Sequence, residues 1–251
     1  MLEPNDNAAF EFDEAGGETG QETTPPNPLN MTPPIYAAVR AVGVLKPKFQ
    51  DQPTGGKVFA DSLDVYGTAF WLKRERILIT CAHIIRGLAE APLELAGLLV
   101  VGHRENYIRA AISTVDYAHD LAVLRLVATP EVIEHEAATG LQLADCYPEV
   151  GARVGYAGFP LGRQLLDASQ DPTYAVGVIG TQKRLNGERK SIQISGPVVG
   201  GYSGSPIVQE NKPEEVIGIV SDSPSREAGQ AGIFMATAWE HIAALAQLAV
   251  S

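Results

Sequence analysis

Cysteine is scarce in this chain of 251 residues, which contains only Cys81 and Cys146. Two thiols do not form the multi-bridge framework that stabilises small exported domains. Cys81 also lacks partners in C-x-x-C or H-x-x-x-H spacing, the arrangement typical of a zinc site. We therefore predict a small buried thiol at Cys81 rather than a metal ligand or redox switch, and we predict no metal and no cofactor.

Long apolar runs are also missing. No run of 18 apolar residues occurs in the sequence, and a transmembrane helix needs a run of about that length. The first residues, Met1-Leu2-Glu3-Pro4-Asn5-Asp6, have neither the basic nor the apolar region of a secretory signal. These absences predict a soluble, cytoplasmic protein without a membrane partner.

Basic residues are absent from residues 1–30, where seven acidic residues account for most of the net charge of −11. This segment is also poor in apolar residues and contains several glycines and prolines, so we predict a disordered acidic tail. It is a solvated leader, a recruitment segment or a self-inhibiting peptide, and the sequence does not separate these roles. The rest of the chain has no basic stripe of the kind that nucleic-acid binding needs, so no nucleic-acid partner is expected.

Short apolar runs separated by turn residues dominate the remaining sequence. The strand-like runs cover residues 37–45, 67–72, 77–80, 97–101, 108–115, 121–126, 153–157, 175–178, 191–194, 206–208 and 216–221. This spacing is typical of an all-β barrel or sandwich and not of alternating strands and helices. Asn186-Gly187 predicts a hairpin between the strands on either side of it.

Helical patterns occur in two places. An apolar stripe at three-to-four spacing covers residues 236–249 and predicts a terminal helix packed on the second half of the molecule. A shorter helix is predicted over residues 83–91, which would place His83 at a helix start.

Three residues suited to nucleophilic catalysis follow one another as His83, Asp120 and Ser203. A serine hydroxyl becomes a strong nucleophile when an imidazole takes its proton and a carboxylate holds that imidazole in the right tautomer. Ser203 lies in Gly200-Gly201-Tyr202-Ser203-Gly204-Ser205-Pro206, whose glycines favour a tight loop with convergent backbone N–H groups. Gly201 and Ser203 would donate the two N–H groups of an oxyanion hole. The distribution of the three residues predicts a site between two half-structures.

Four motifs in a fixed order carry a family resemblance. They are Gly67-Thr68-Ala69-Phe70 leading to Ile79-Thr80-Cys81-Ala82-His83, then His119-Asp120-Leu121-Ala122-Val123-Leu124, then Gly158-Phe159-Pro160-Leu161-Gly162, and finally Gly201-Tyr202-Ser203-Gly204-Ser205-Pro206. Together they resemble the chymotrypsin-clan (trypsin-like) serine peptidases. The chain is most similar to the bacterial Deg/HtrA-type protease domain without its C-terminal peptide-binding module.

The resemblance implies two antiparallel six-stranded β-barrels and a C-terminal helix. Residues 31–146 would form the first barrel, and residues 147–251 the second barrel with the closing helix. The implied function is a serine endopeptidase that acts on polypeptides through an acyl-enzyme. His83 would be the general base and then the general acid, Asp120 the orienting carboxylate and Ser203 the nucleophile, with Ser221 supporting the triad beside Asp120.

The same resemblance implies a substrate pocket lined by Pro197, Val198, Asp222, Ser223 and Gly232. Its base carries no acidic residue, so we expect cleavage after small or medium apolar side chains. If the carboxylate of Asp222 faces the cleft, it would favour a basic residue next to the cleaved bond.

One departure from the family bears on regulation. Tyr202 stands where many animal members carry an aspartate that pairs with a newly cut amino terminus. Activation through that ion pair is therefore not expected. Any regulatory protein partner would act through residues 1–30 or through the loops.

Other enzyme classes fit the sequence poorly. Gly55-Gly56-Lys57 is not a phosphate-binding loop, because Asp51 and Val58 occupy the positions of its first glycine and its hydroxyl residue. An α/β-hydrolase elbow fails at Ser205 and would require Asp222 and His241 to complete a triad in a different order. The remaining alternative is a protease fold used for binding, either catalytically silent or gated by a partner.

Overall fold

Strands form most of the folded chain. A computed structural model describes residues 33–51, 57–89, 98–103, 106–160, 171–185, 189–222 and 232–250. In these ranges the helices are α1 (Pro34–Ala38), α2 (Ala82–Ala89), α3 (Pro130–Ala137) and α4 (Trp239–Val250). The strands are β1 (Val39–Asp51), β2 (Lys57–Leu72), β3 (Ile77–Thr80), β4 (Leu98–His103), β5 (Asn106–Asp116), β6 (Leu121–Leu126), β7 (Gln142–Leu143), β8 (Arg153–Gly158), β9 (Thr173–Leu185), β10 (Arg189–Ser195), β11 (Pro206–Gln209), β12 (Lys212–Asp222) and β13 (Ile233–Ala238).

The first six strands close into an antiparallel barrel in the order β1-β2-β3-β6-β5-β4. Every residue of β3 is buried, and in β6 only Arg125 is exposed. Both faces of these two strands are therefore covered, which explains why their sequences are continuous apolar runs rather than alternating ones. Phe70 and Trp71 of β2 are the bulkiest side chains of this core.

The second barrel follows the order β11-β8-β9-β10-β13-β12 and is closed by the pairing of β11 with β12. The short strand β7 adds to it in parallel beside β12. Burial alternates along β13, where Phe234, Ala236 and Ala238 face the core, as expected for the two-residue period of a strand. The predicted all-β fold, with two six-stranded antiparallel barrels and a C-terminal helix, is confirmed.

Several local predictions need correction. Ala236 belongs to β13 and not to the terminal helix, because the two-residue alternation continues to Ala238 before the helix begins at Trp239. Helix α4 does not pack on the second barrel alone: its buried residues Ile242, Leu245 and Ala246 join the core that contains the first barrel. The short helices α1 and α3 were not predicted, and α1 includes the first two residues of the predicted run 37–45.

Parts of the prediction lie outside the described residues. They include the acidic tail at residues 1–30 and the Asn186-Gly187 turn. The strands next to that turn do pair antiparallel, with Leu185 opposite Arg189. The boundary between residues 146 and 147 stays a prediction. None of the helices in the described ranges combines the length and hydrophobicity that crossing a bilayer requires.

Candidate active site

His83 and Asp120 lie side by side because of the strand register in the first barrel. Thr80 at the end of β3 pairs with Ala122 near the start of β6, so the residues beyond these strand ends meet at one edge. His83 Nδ1 lies 2.8 Å from Asp120 Oδ2, and the backbone N–H of His83 donates to Asp120 Oδ1 at 2.9 Å. That N–H is in the first turn of α2, where such groups have no partner within the helix. One carboxylate therefore holds both the ring and the backbone of His83.

Asp120 itself has an unusual backbone and a well-satisfied carboxylate. Its φ is 57°, a left-handed conformation that aspartate and asparagine tolerate better than most residues. Ser221 Oγ donates to Asp120 Oδ2 at 2.6 Å. Burial alone would raise the pKa of Asp120, but hydrogen bonds from the side chains of His83 and Ser221, the charge of His83 and the His83 backbone N–H lower it below its ordinary value. The site therefore favours an ionised carboxylate behind the imidazole.

The predicted nucleophile Ser203 lies in a loop of residues 199–205, called the nucleophile loop, which begins with a tight turn. The Tyr202 N–H donates to the Val199 carbonyl at 3.3 Å, and Gly201, the third residue of this turn, has a φ of 103°. A positive φ at that position is typical of a type II turn and favours glycine. A Cβ on Gly201 would lie 2.1 Å from the carbonyl oxygen of Phe159. Both the conformation and the space therefore require glycine.

Ser203 follows this turn and is partly exposed. Its Oγ donates to the carbonyl oxygen of Ser221 at 3.3 Å. Ser203 Oγ forms no hydrogen bond with the ring of His83, and both residues belong to the described part of the chain. Ser221 therefore bonds to two residues of the site: its carbonyl accepts from Ser203, and its hydroxyl donates to Asp120. The structure thus brings His83, Asp120, Ser203 and Ser221 together.

Tyr202 anchors the nucleophile loop by packing. Its side chain is buried in the second barrel, and its ring meets that of Tyr156 edge to face with 5.4 Å between centroids. Burial, with a smaller contribution from the charge of Tyr36, raises the pKa of Tyr202 to about 12. The phenol therefore stays neutral near physiological pH, and Tyr202 holds the loop by an aromatic contact and not by an ion pair of its own side chain.

Cys81 is buried, as predicted, and forms no disulfide. Its Sγ donates to the carbonyl oxygen of Val220 at 3.2 Å. One ligand atom each from Cys81, His83 and Asp120 lies within 4.8 Å of the others, and a metal ion bound there would compete with the hydrogen bond between His83 and Asp120 and with the bond from Cys81 to Val220.

A family model for the trypsin-like peptidase domain matches residues 67–219. The match contains both the His83–Asp120 pair and the loop with Ser203. The chain belongs to this family. The predicted membership of the trypsin-like peptidases is therefore confirmed, and the two barrels are the fold of a serine protease.

Solved structures of trypsin-like proteases resemble the chain in fold. The HtrA-type protease AlgW, solved with a decapeptide, matches with a TM-score of 0.64 and 20% identity over 86% of this chain and 65% of its own. The protease Rv3671c from M. tuberculosis in its active form matches with a TM-score of 0.60 and 19% identity over 94% of each chain. Rv3671c protease in an inactive form matches with a TM-score of 0.57 and 18% identity over 91% of this chain and 98% of its own.

A sequence relative adds little about activity. The uncharacterized protein y4bJ of Sinorhizobium fredii is 28% identical over 156 residues, which are 62% of this chain and 21% of the relative. The chain thus spans about a fifth of the length of this relative.

The predicted substrate-pocket residues of this trypsin-like domain fall on neighbouring segments. The Gly196 N–H donates to the Gly232 carbonyl at 2.7 Å, which places the segment with Pro197 and Val198 beside Gly232. Pro197 is exposed, and its carbonyl accepts a hydrogen bond from the Tyr156 hydroxyl at 2.5 Å. Asp222 ends β12, next to Ser221, and Ser223 lies outside the described residues.

One residue at the site was not singled out from the sequence. Thr68 is completely buried and forms hydrogen bonds with two residues of the nucleophile loop, Gly201 and Ser203. The signal available in the sequence was a threonine inside the otherwise apolar end of a strand. Such a hydroxyl needs a partner when it is buried, but sequence alone does not reveal which partner it has.

Proposed function

We propose that this protein is a serine endopeptidase that hydrolyses polypeptides through Ser203, His83 and Asp120. The observation that carries the proposal is a set of three hydrogen bonds: His83 Nδ1 is bonded to Asp120, Ser221 Oγ donates to the same carboxylate, and Ser203 Oγ donates to the Ser221 carbonyl. His83, Asp120 and Ser203 lie within the residues matched by the trypsin-like peptidase family model, and Ser221 lies two positions beyond its end at residue 219. A likeness to AlgW, which was solved with a decapeptide, supports a polypeptide as the substrate.

In the proposed reaction, Ser203 Oγ turns from the Ser221 carbonyl toward His83 and attacks the peptide carbonyl carbon while the imidazole takes its proton. Asp120, bonded to Nδ1, holds the ring in the tautomer that leaves Nε2 able to accept that proton, and stabilises the imidazolium. His83 then protonates the leaving amine, which departs and leaves an acyl-enzyme. A water molecule, deprotonated by the same imidazole, hydrolyses the ester and restores Ser203.

The backbone of the nucleophile loop supports the proposed oxyanion hole. The N–H groups of Gly201 and Ser203 donate to no other described residue, and the type II geometry at Gly201 sets the direction of the Gly200–Gly201 peptide. Each such donor contributes about 3–4 kcal/mol to stabilising the transition state. The two N–H groups would serve the developing oxyanion of the substrate.

The second candidate function is a protease fold that is silent or gated by a partner. The observation in its favour is the direction of the Ser203 hydroxyl, which donates to the Ser221 carbonyl and not to His83. The solved active and inactive forms of the Rv3671c protease have similar TM-scores to this chain. A regulatory partner acting through residues 1–30 or the loops stays a prediction, as does an intracellular location.

Covalent labelling separates the two candidates. A fluorophosphonate probe is expected to modify the wild-type protein at Ser203, as read by intact mass and peptide mapping, and to leave Ser203→Ala unmodified. Ser205→Ala is the matched control, because its hydroxyl is buried and has no hydrogen-bond partner among the described residues; it should label like the wild type. Absence of labelling in folded wild-type protein would favour the silent or gated form, and faster labelling after removal of residues 1–30 would identify the tail as an inhibitor.

We also propose that the pocket accepts small or medium apolar side chains. Pro197, Val198 and Gly232 supply apolar or small groups on adjacent segments, and no acidic residue is predicted at the base. Profiling with a peptide library is expected to show Ala, Val or Leu before the cleaved bond, and Asp222→Asn should leave that preference unchanged. A clear preference for Lys or Arg at this position would contradict the assignment of the pocket.

A further inference from the structure

Thr68 joins the first barrel to the nucleophile loop. It lies on β2, is fully buried, and uses every polar atom it has. Its N–H donates to the Ser203 carbonyl at 2.8 Å, and its carbonyl accepts from Thr80 Oγ1 at 2.7 Å. Its hydroxyl accepts from the Phe159 N–H at 3.2 Å and donates to the Gly201 carbonyl at 2.8 Å.

The direction of the Thr68 hydroxyl is determined by its two neighbours. A hydroxyl carries one proton, and since the Phe159 N–H donates to Thr68 Oγ1, that proton goes to the carbonyl of Gly201. The carbonyls of Gly201 and Ser203 are thus both held by a single residue of β2. These are the two residues whose N–H groups form the proposed oxyanion hole.

Close packing leaves the loop little freedom to find other partners. A Cβ on Gly204 would lie 1.8 Å from the Thr68 carbonyl oxygen, and one on Gly201 would lie 2.1 Å from that of Phe159. If the hydroxyl were removed, the Gly201 carbonyl and the Phe159 N–H would lose a buried partner, and an unsatisfied buried group is costly. A rearrangement of the loop would be the remaining way to restore these bonds.

We infer that Thr68 is a positioning residue that holds the nucleophile loop in the conformation needed for catalysis. The inference rests on the proposed peptidase function, because its catalytic consequence requires an oxyanion hole at Gly201 and Ser203. Thr68 touches no reacting atom. It acts through the carbonyls of these two residues.

The kinetic test compares Thr68→Val, which loses the hydroxyl at nearly constant volume, with Thr68→Ser, which keeps it. Thr68→Val is expected to lower kcat on a peptide substrate about a hundredfold, comparable to the loss of one oxyanion-hole donor, with KM changed by less than about threefold. Thr68→Ser should recover kcat to within about threefold of the wild type. Thr139→Val is the control, because its hydroxyl bonds to the carbonyls of Ala37 and Glu136, neither of which belongs to the nucleophile loop, and it should keep wild-type kinetics.

A second measurement does not depend on activity. Amide hydrogen exchange should be faster at Tyr202, Gly204 and Ser205 in Thr68→Val, but not in Thr68→Ser or Thr139→Val. Unchanged exchange in Thr68→Val, or an equal loss of kcat in Thr68→Ser, would overturn the inference. If Thr68→Val does not fold, Thr68→Ala removes the same hydroxyl without placing a methyl group against the Gly201 carbonyl.

The two proposals fail in different ways. Lack of Ser203 labelling in the wild-type protein would count against the peptidase function, while the exchange comparison would still decide whether Thr68 holds the loop. Normal labelling with unchanged exchange in Thr68→Val would overturn only the role of Thr68.

Discussion

His83→Ala is expected to slow peptide hydrolysis by about six orders of magnitude, the loss found when the general base of a serine triad is removed. The physical reason is that, among the residues that the structure describes, no other group bonded in this site acts as a base toward Ser203 Oγ. Asp120 is bonded to the His83 ring and backbone and to Ser221, and the Ser221 carbonyl accepts from Ser203 without acting as a base. Steady-state kinetics with long incubations, on protein shown to be folded by circular dichroism, measures the effect.

The double variant sharpens this prediction. Members of a triad act as one unit, so Ser203→Ala combined with His83→Ala should be no slower than either single variant. His135→Ala is the matched control, because His135 is exposed on α3, and its activity should equal that of the wild type. Substantial hydrolysis by His83→Ala that Ser203→Ala abolishes would mean that another base serves Ser203.

Asp120→Asn is expected to lower kcat by about four orders of magnitude while the fold is retained. Asparagine tolerates the left-handed backbone at φ 57° as well as aspartate does, so the turn before β6 should persist. Both oxygens of the Asp120 carboxylate accept hydrogen bonds, whereas an asparagine amide has one oxygen that accepts and one NH₂ group that donates. The amide favours the wrong tautomer of His83 and no longer stabilises the imidazolium.

Asp116→Asn supplies the matched control for this second prediction. Asp116 Oδ2 lies 2.6 Å from His119 Nδ1, so the substitution makes the same chemical change in a second Asp–His pair that is outside the proposed triad. Its activity should stay within about tenfold of the wild type. If the two substitutions were equally harmful, the loss in Asp120→Asn would reflect the turn and not the orientation of His83.

The lowered pKa of Asp120 also gives a pH dependence with a definite sign. Since the folded-state pKa lies below the ordinary value of 3.8, the ionised group stabilises the fold above that pH, and this contribution is lost as the pH falls through the lower folded value. The difference in Tm between the wild type and Asp120→Asn should therefore be constant above about pH 5 and shrink between about pH 5 and pH 3. A difference that does not change over this range would contradict the assigned ionisation.

The architecture was largely predictable because its signals are local. Apolar runs of strand length with turn residues between them indicated a β fold, and the ordered motifs around His83, Asp120 and Ser203 indicated two barrels. The helix beginning near His83 was also anticipated, and α2 begins at Ala82. The prediction failed at Ala236, which fits both the two-residue period of a strand and the three-to-four spacing of a helix. In the structure Ala236 pairs with Ile192 and Val220 of the neighbouring strands and therefore belongs to β13.

The amino-acid sequence by itself indicated an all-β fold, because strand periodicity and glycine-rich turns depend on neighbours in the chain. The resemblance of its ordered motifs to a known family indicated the residues that carry the proposed chemistry. The tertiary structure alone decided which atoms meet. The direction of the Ser203 hydroxyl depends on the Ser221 carbonyl of β12. The Gly201 carbonyl accepts a hydrogen bond from the hydroxyl of Thr68, which lies 133 positions away in the chain. The first contact joins two segments of the second barrel, and the second joins a strand of the first barrel to the nucleophile loop. Both arise only on folding, since no local pattern specifies the partner of a hydroxyl.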